Sequence, residues 1–228
     1  MWWKLCWSKF WQIEGVTGLF NYDNKVMGIF SKVMDAVILG VLWLACSVPV
    51  VTIGASSTAF YYAYNKCVRQ ERGYAWQTFF SAFRSNFKQA TGIWLTLLGM
   101  LLFTAADYML LNAYMGTFPL AKVLMGFMIA AFLGLSLWGL YVFAYIARFE
   151  LETKIAKTMA VRLVLENLGW TVVLALVFAA VVASVFLVSF LGILAPTVYM
   201  AIANPILERV FRKYMSQQDL QKELSYTE

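Results

Sequence analysis

The chain has 228 residues, of which 62% are hydrophobic, 17% aromatic and 13% charged, whereas a soluble domain carries roughly 45–50% apolar and about a quarter charged residues. This composition excludes a water-soluble globular domain and points to an all-α integral membrane protein with no sizeable soluble part. The formal charge of +6 is distributed over the segments between apolar runs, the pattern of cations retained in the cytoplasm rather than of a nucleic-acid interface.

Residues 1–27 open with M-W-W-K-L-C-W-S-K-F-W-Q, which lacks the apolar core and cleavage site of a secretory signal. Trp3, Cys6, Trp7, Phe10 and Trp11 recur at helical spacing and predict a short helix in the headgroup layer. Next comes an apolar stretch broken by S-V-P-V-V-T-I-G-A-S-S at Ser47–Ser57. Residues 28–68 are expected to form a first hairpin with this motif as its outer turn, Pro49, Thr52, Gly54 and Ser56 being the turn residues. The return arm, Ala55 to Val68, has about 14 apolar-permissive positions and covers only roughly 21 Å. Tyr61, Tyr62 and Tyr64 near its end read as an interfacial belt.

Residues 74–91 predict an inner amphipathic helix: Trp76, Phe79, Phe80, Phe83 and Phe87 fall three and four apart, with Gln77, Ser81, Arg84 and Lys88 opposite. The aromatics together with Arg84 and Lys88 are the interaction candidates, either as a headgroup anchor or as a docking surface for another membrane protein. A second hairpin is expected over 93–147. Asp107 stands inside its first span and is read as the only acidic residue well within any span, costing about 2.5–3.5 kcal/mol at that depth unless protonated or bonded to Thr104 or a tyrosine. Gly126, Ala130 and Gly134, then Ala175, Ala179 and Ala183 in the next span, form small-residue ridges expected to pack within the chain rather than against a partner. After a basic connector over 150–167, a third hairpin is expected over 169–211. Pro196 starts its second arm, and Asn204-Pro205 is read as a kink. Residues 212–228 form a cytoplasmic tail.

Charge counting fixes the number of passes. If both arms of the first hairpin cross, every lysine and arginine except Lys122 lies on one side; if the return arm stops short, four N-terminal lysines oppose the rest, against the positive-inside bias. The expectation is six transmembrane helices in three hairpins, five if the return arm does not cross, with both termini cytoplasmic. Catalysis has little to stand on. Histidine is absent, Cys6, Cys46 and Cys67 lack metal-site or disulfide spacing, and no phosphate-cradling glycine loop or nucleophile motif occurs. Neither an enzyme, a metal nor a cofactor is expected.

The segment from Gly18 to Tyr64, with Gly18, Phe20, Pro49, Val50, Thr52, Gly54, Ala55, Ser56, Ala59 and Tyr62, followed by F-F-S-A-F-R-S-N-F-K-Q-A at Phe79–Ala90, resembles the opening of the YesL family of bacterial integral membrane proteins. The resemblance extends over about Gly18 to Gly92 and afterwards rests on length and hydropathy. The family was defined as one of unknown function, and its members accompany oligosaccharide ABC importers and sugar-responsive regulators in Gram-positive bacteria. The resemblance therefore implies a non-enzymatic accessory or regulatory subunit in the cytoplasmic membrane, with lipids and importer permease subunits as partners. This chain lacks the coupling pattern of a permease. One alternative is a small solute channel or carrier lined by Asp107 and the broken helices. A second is a lipid-interacting scaffold.

Overall fold

The computed structural model describes residues 25–113, 120–149, 153–187 and 192–215, which contain helices and turns and no strand. Helix α1 is Lys25–Ser47, and a 3₁₀ turn at Val50–Thr52 leads into α2, Ile53–Ala63. The chain then continues as a π-helical turn, Tyr64–Arg69, before the 39-residue α3, Ala75–Ala113. Helices α4, Leu120–Phe149, α5, Thr153–Glu166, α6, Leu168–Leu187, and α7, Ala195–Arg212, complete the described fold. The N-terminal interfacial segment, the loop before Leu120 and the tail beyond Met215 lie outside the described residues.

Four of these helices, α1, α3, α4 and α6, are long and apolar enough to cross a membrane. Their large apolar side chains face outward, as with Ile29, Phe30 and Val33 on α1, Leu102 and Phe103 on α3, Phe127 on α4 and Leu176 on α6. Lipid, not water, satisfies such a surface.

The Ser47–Ser57 motif is the turn of a helical hairpin. Pro49 cannot donate to a continuing helix, and the Thr52 hydroxyl takes over the freed carbonyls, donating to Cys46 O at 2.6 Å and Pro49 O at 2.7 Å. Ser47 and Ser56 share a 2.7 Å hydrogen bond across the turn, and the Trp43 indole donates to Ser57 at 3.1 Å. At the far end Lys32 pairs with Glu71 at 2.6 Å, so α2 and the π-helical turn together return alongside α1. The chain reverses into α3 through Glu71 (φ 56°) and Gly73 (φ 75°).

Two expectations are corrected here. The amphipathic helix at 74–91 and the span beginning at Ile93 are one unbroken helix: Thr91-Gly92 contains no proline, and Gly92 does not take the left-handed conformation by which a glycine ends a helix. The turn and the start of that span, expected at opposite membrane faces, lie side by side. The Trp94 indole donates to Val50 O at 2.6 Å, and Gly54 packs against the backbone of Ala90 and the Cβ of Trp94. Helix α2 thus accompanies the first half of α3, antiparallel to it, while Leu97 and the residues beyond turn to α4, where Leu97 fills the space over Gly139. Charge counting assigns sides to loops, but it is blind to a helix long enough to carry two packing partners end to end.

Candidate functional site

Helix α7 carries Glu208 with 1% of its surface exposed. Its neighbours Ala203, Leu207, Val210 and Phe211 are buried with it, so helical periodicity forces the carboxylate inward with the apolar face. Burying an ion without partners costs several kcal/mol, and three other elements supply them. From α2 the Tyr61 hydroxyl donates to Glu208 Oε1 at 2.7 Å; from the π-helical turn the Asn65 amide donates to the same oxygen at 3.2 Å. Arg69 Nη1 lies 3.3 Å from Oε2, and Arg148 Nε, in the last turn of α4, lies 3.5 Å from it. Tyr61, Asn65 and Arg69 follow one another at intervals of four and form a polar line down one helix face. The carboxylate joins α2, α4 and α7 in one junction. An aromatic cluster seals it, with Phe211 edge-on to Tyr61, Tyr145 and Phe149 at centroid distances of 5.9–6.3 Å.

A second polar junction lies where α5 meets α6 and the end of α7. Glu166 is held by Arg162 on its own helix and by the Tyr214 hydroxyl, and Tyr214 also accepts from Asn167 at 3.1 Å. The Arg162 guanidinium, with help from Tyr214, keeps the Glu166 carboxyl below the usual carboxylate range. Among the described residues no group of three histidine, cysteine or acidic side chains could hold a metal ion.

Residues 36–108 match the model of DUF624, a protein family of unknown function. No match was found among curated proteins or among solved structures. The DUF624 region spans most of α1, the turn, α2 and nearly all of α3, and it overlaps the segment whose motifs stand out in the sequence. Within it, Pro49, Thr52, Gly54 and Ser56 make the turn and its packing against α3. Tyr61, Asn65 and Arg69 of the junction are inside the DUF624 region, whereas Arg148 and Glu208 lie beyond it.

The aromatic stripe on α3 divides. Phe79 is fully buried, with Ala75, Thr78 and Ala82, against the bundle, and Phe83 is half-buried. Trp76, Phe80 and Phe87 are exposed, as are Arg84 and Lys88. The expected single aromatic face is therefore corrected: one edge of it packs on the chain itself, and a mixed aromatic and cationic edge remains outside. Asp107 is partly exposed on α3, and Thr104 donates to Met100 O at 2.8 Å instead of to the carboxylate. Asp107 lies about 20 Å along α3 from Trp94, so the turn and this acid do not meet. Pro205 sits inside a continuous α7.

Two further expectations are overturned. Tyr61 and Tyr64 are core residues and not an interfacial belt, for Tyr61 is committed to Glu208. Gly126 and Gly134 meet nothing within 4 Å, and Ala179 and Ala183 are exposed; these small-residue ridges do not pack within the described chain. Sequence reasoning missed Glu208 because it sits among cations near the end of a short run. The readable signal was the Tyr61, Asn65 and Arg69 line, which demands a polar partner once Ala55, Ala59 and Ala63 bury the same helix.

Proposed function

We propose that this chain is a non-enzymatic accessory or regulatory subunit of the bacterial cytoplasmic membrane that associates with the permease subunits of an oligosaccharide ABC importer. The YesL-like motifs motivate the choice of partner. The observation that carries the reading is the exposed edge of α3, where Trp76 is 56% and Phe80 46% exposed beside Arg84, Phe87 and Lys88, while buried Phe79 and Ala82 hold the same helix rigidly to the bundle. Aromatic and arginine side chains on a rigid support are the residue types that dominate protein interfaces.

Tagged protein extracted in mild detergent from cells expressing the neighbouring importer is expected to bring permease subunits with it. Trp76→Ala combined with Phe80→Ala is expected to reduce recovery by more than about tenfold, since each central aromatic contributes on the order of 2 kcal/mol. Repeated purification of the wild-type chain alone would end this reading. The carrier alternative predicts solute flux in proteoliposomes that Asp107→Asn abolishes. Its components lie apart, at the Pro49–Ser57 turn, at Asp107 on α3 and at Asn204-Pro205 on α7, which favours the accessory reading.

The pass count belongs to the same proposal. Charge asymmetry supports six passes with both ends in the cytoplasm, whereas the Trp94 to Val50 contact favours fewer, with the first hairpin and the second half of α3 at different depths. In a chain freed of its native cysteines, Val48→Cys and Gly92→Cys are expected to react with an impermeant maleimide from the same side of the membrane. Labelling from opposite sides would restore the six-pass arrangement.

A further inference from the structure

Between α4 and α5 lies an open groove of ≈ 500 Å³, lined by Trp138, Lys157, Thr158, Val161, Arg162 and Leu165. Helix α5 is fixed to α4 on its other side by fully buried Ala156 and Ala160, and the Trp138 indole donates to Lys157 O at 3.2 Å, so both walls are rigid. The lining is ordered by chemistry. Val161 and Leu165 follow Lys157 at intervals of four and form an apolar track beside the Trp138 ring, with Lys157 and Thr158 at its start and the Thr158 hydroxyl donating to Lys154 O at 3.1 Å. Arg162 is neutralised by Glu166, and Glu166 itself is bound by Tyr214 at the other end. None of the ion pairs among the described residues uses Lys157.

The depth of the groove follows from its neighbours. The candidate spans Val123–Phe149 and Leu168–Leu187 stand on either side of α5 in the chain. A helix of 14 residues that connects the exit of one span to the entry of the next stays at one membrane surface.

We propose that this groove is a binding site for a single anionic phospholipid, its phosphate at Lys157 and an acyl chain along Val161, Leu165 and Trp138. Charge complementarity selects an anionic over a zwitterionic headgroup, and the apolar track selects a lipid over a free phosphate. Binding of dioleoylphosphatidylglycerol and dioleoylphosphatidylcholine to the detergent-solubilised full chain, read by native mass spectrometry, tests the assignment. The wild type is expected to retain phosphatidylglycerol in preference to phosphatidylcholine. Lys157→Gln is expected to weaken retention about fivefold, the effect of one cation near an anionic surface. Val161→Trp, which fills the track without changing charge, is expected to abolish it, and Lys154→Gln, outside the groove, to leave it unchanged. A diazirine-bearing phosphatidylglycerol is expected to label α5 of the wild-type protein between Val161 and Leu165, a readout independent of how any variant folds. Equal retention of the two lipids, retention unaffected by Lys157→Gln and Val161→Trp, displacement by inorganic phosphate alone, or labelling confined to other helices would each overturn the site.

Discussion

Replacing Glu208 by glutamine is expected to lower the thermal midpoint of the solubilised protein by roughly 6–12 °C, the equivalent of about 3 kcal/mol for a chain of this size. The carboxylate is 1% exposed and lies between two guanidinium groups. Removing its charge leaves both arginines facing a neutral amide, and Tyr61 loses an ionised acceptor. The expected value is at the low end for a broken buried pair because Arg69 is 32% exposed and water can solvate it in place of the carboxylate. Arg148, at 17%, has less recourse to solvent, so Arg148→Gln is expected to cost more than Arg69→Gln. The double variant Arg148→Gln/Glu208→Gln should then be less damaging than the sum of its parts, as the two side chains form one unit. A midpoint that Glu208→Gln leaves unmoved would mean that α2, α4 and α7 are held together by apolar packing alone.

Gly54→Ala is expected to destabilise the protein by about 2–3 kcal/mol, whereas Gly92→Ala, two residues from each of its α3 contacts but on the other side of the helix, is expected to stabilise it by about 0.5–1 kcal/mol. The opposite signs follow from what each new methyl would meet. At Gly54 it would stand 2.5 Å from Trp94 Cβ and 2.7 Å from the Ala90 carbonyl oxygen. Neither atom is the end of a flexible side chain, so α2 must move off α3 and take the Trp94 to Val50 hydrogen bond with it. At Gly92 nothing lies within 4 Å, and alanine simply restricts the unfolded chain and favours the helix. Parallel thermal melts of the two variants check the pair. Equal behaviour would show that the close approach of α2 and α3 does not hold in the membrane.

These two sites differ in how far the sequence announces them. Gly54 belongs to a motif whose proline, glycine and hydroxyl residues cannot continue an apolar helix, and its role in a hairpin turn is legible without coordinates. What could not be read is its partner, because the backbone of Ala90 and Trp94 lies more than thirty positions along the chain. Glu208 is the converse case. Its neighbours Arg209 and Arg212 make the segment read as a polar helix end, yet periodicity turns Glu208 inward. Asp107 attracted attention as an intramembrane acid and proves partly exposed. Hydropathy reports how apolar a window is, but it does not say which side of the helix a charge faces.

Composition and the lengths of the apolar runs were enough to specify helices built for lipid, since backbone groups in a bilayer must satisfy one another within the segment. Local breaker chemistry placed the first turn and the start of α7, where Pro196 lies in the first helical turn. The tertiary structure alone decided that Thr91-Gly92 is crossed by one continuous helix, that the Pro49 turn rests at its midpoint, and that Tyr61, Asn65, Arg69 and Arg148 converge on one carboxylate. Each of these depends on groups far apart in the chain being brought within a few ångströms, and spacing along a sequence records which residues can share a helix face but not which helix that face will meet.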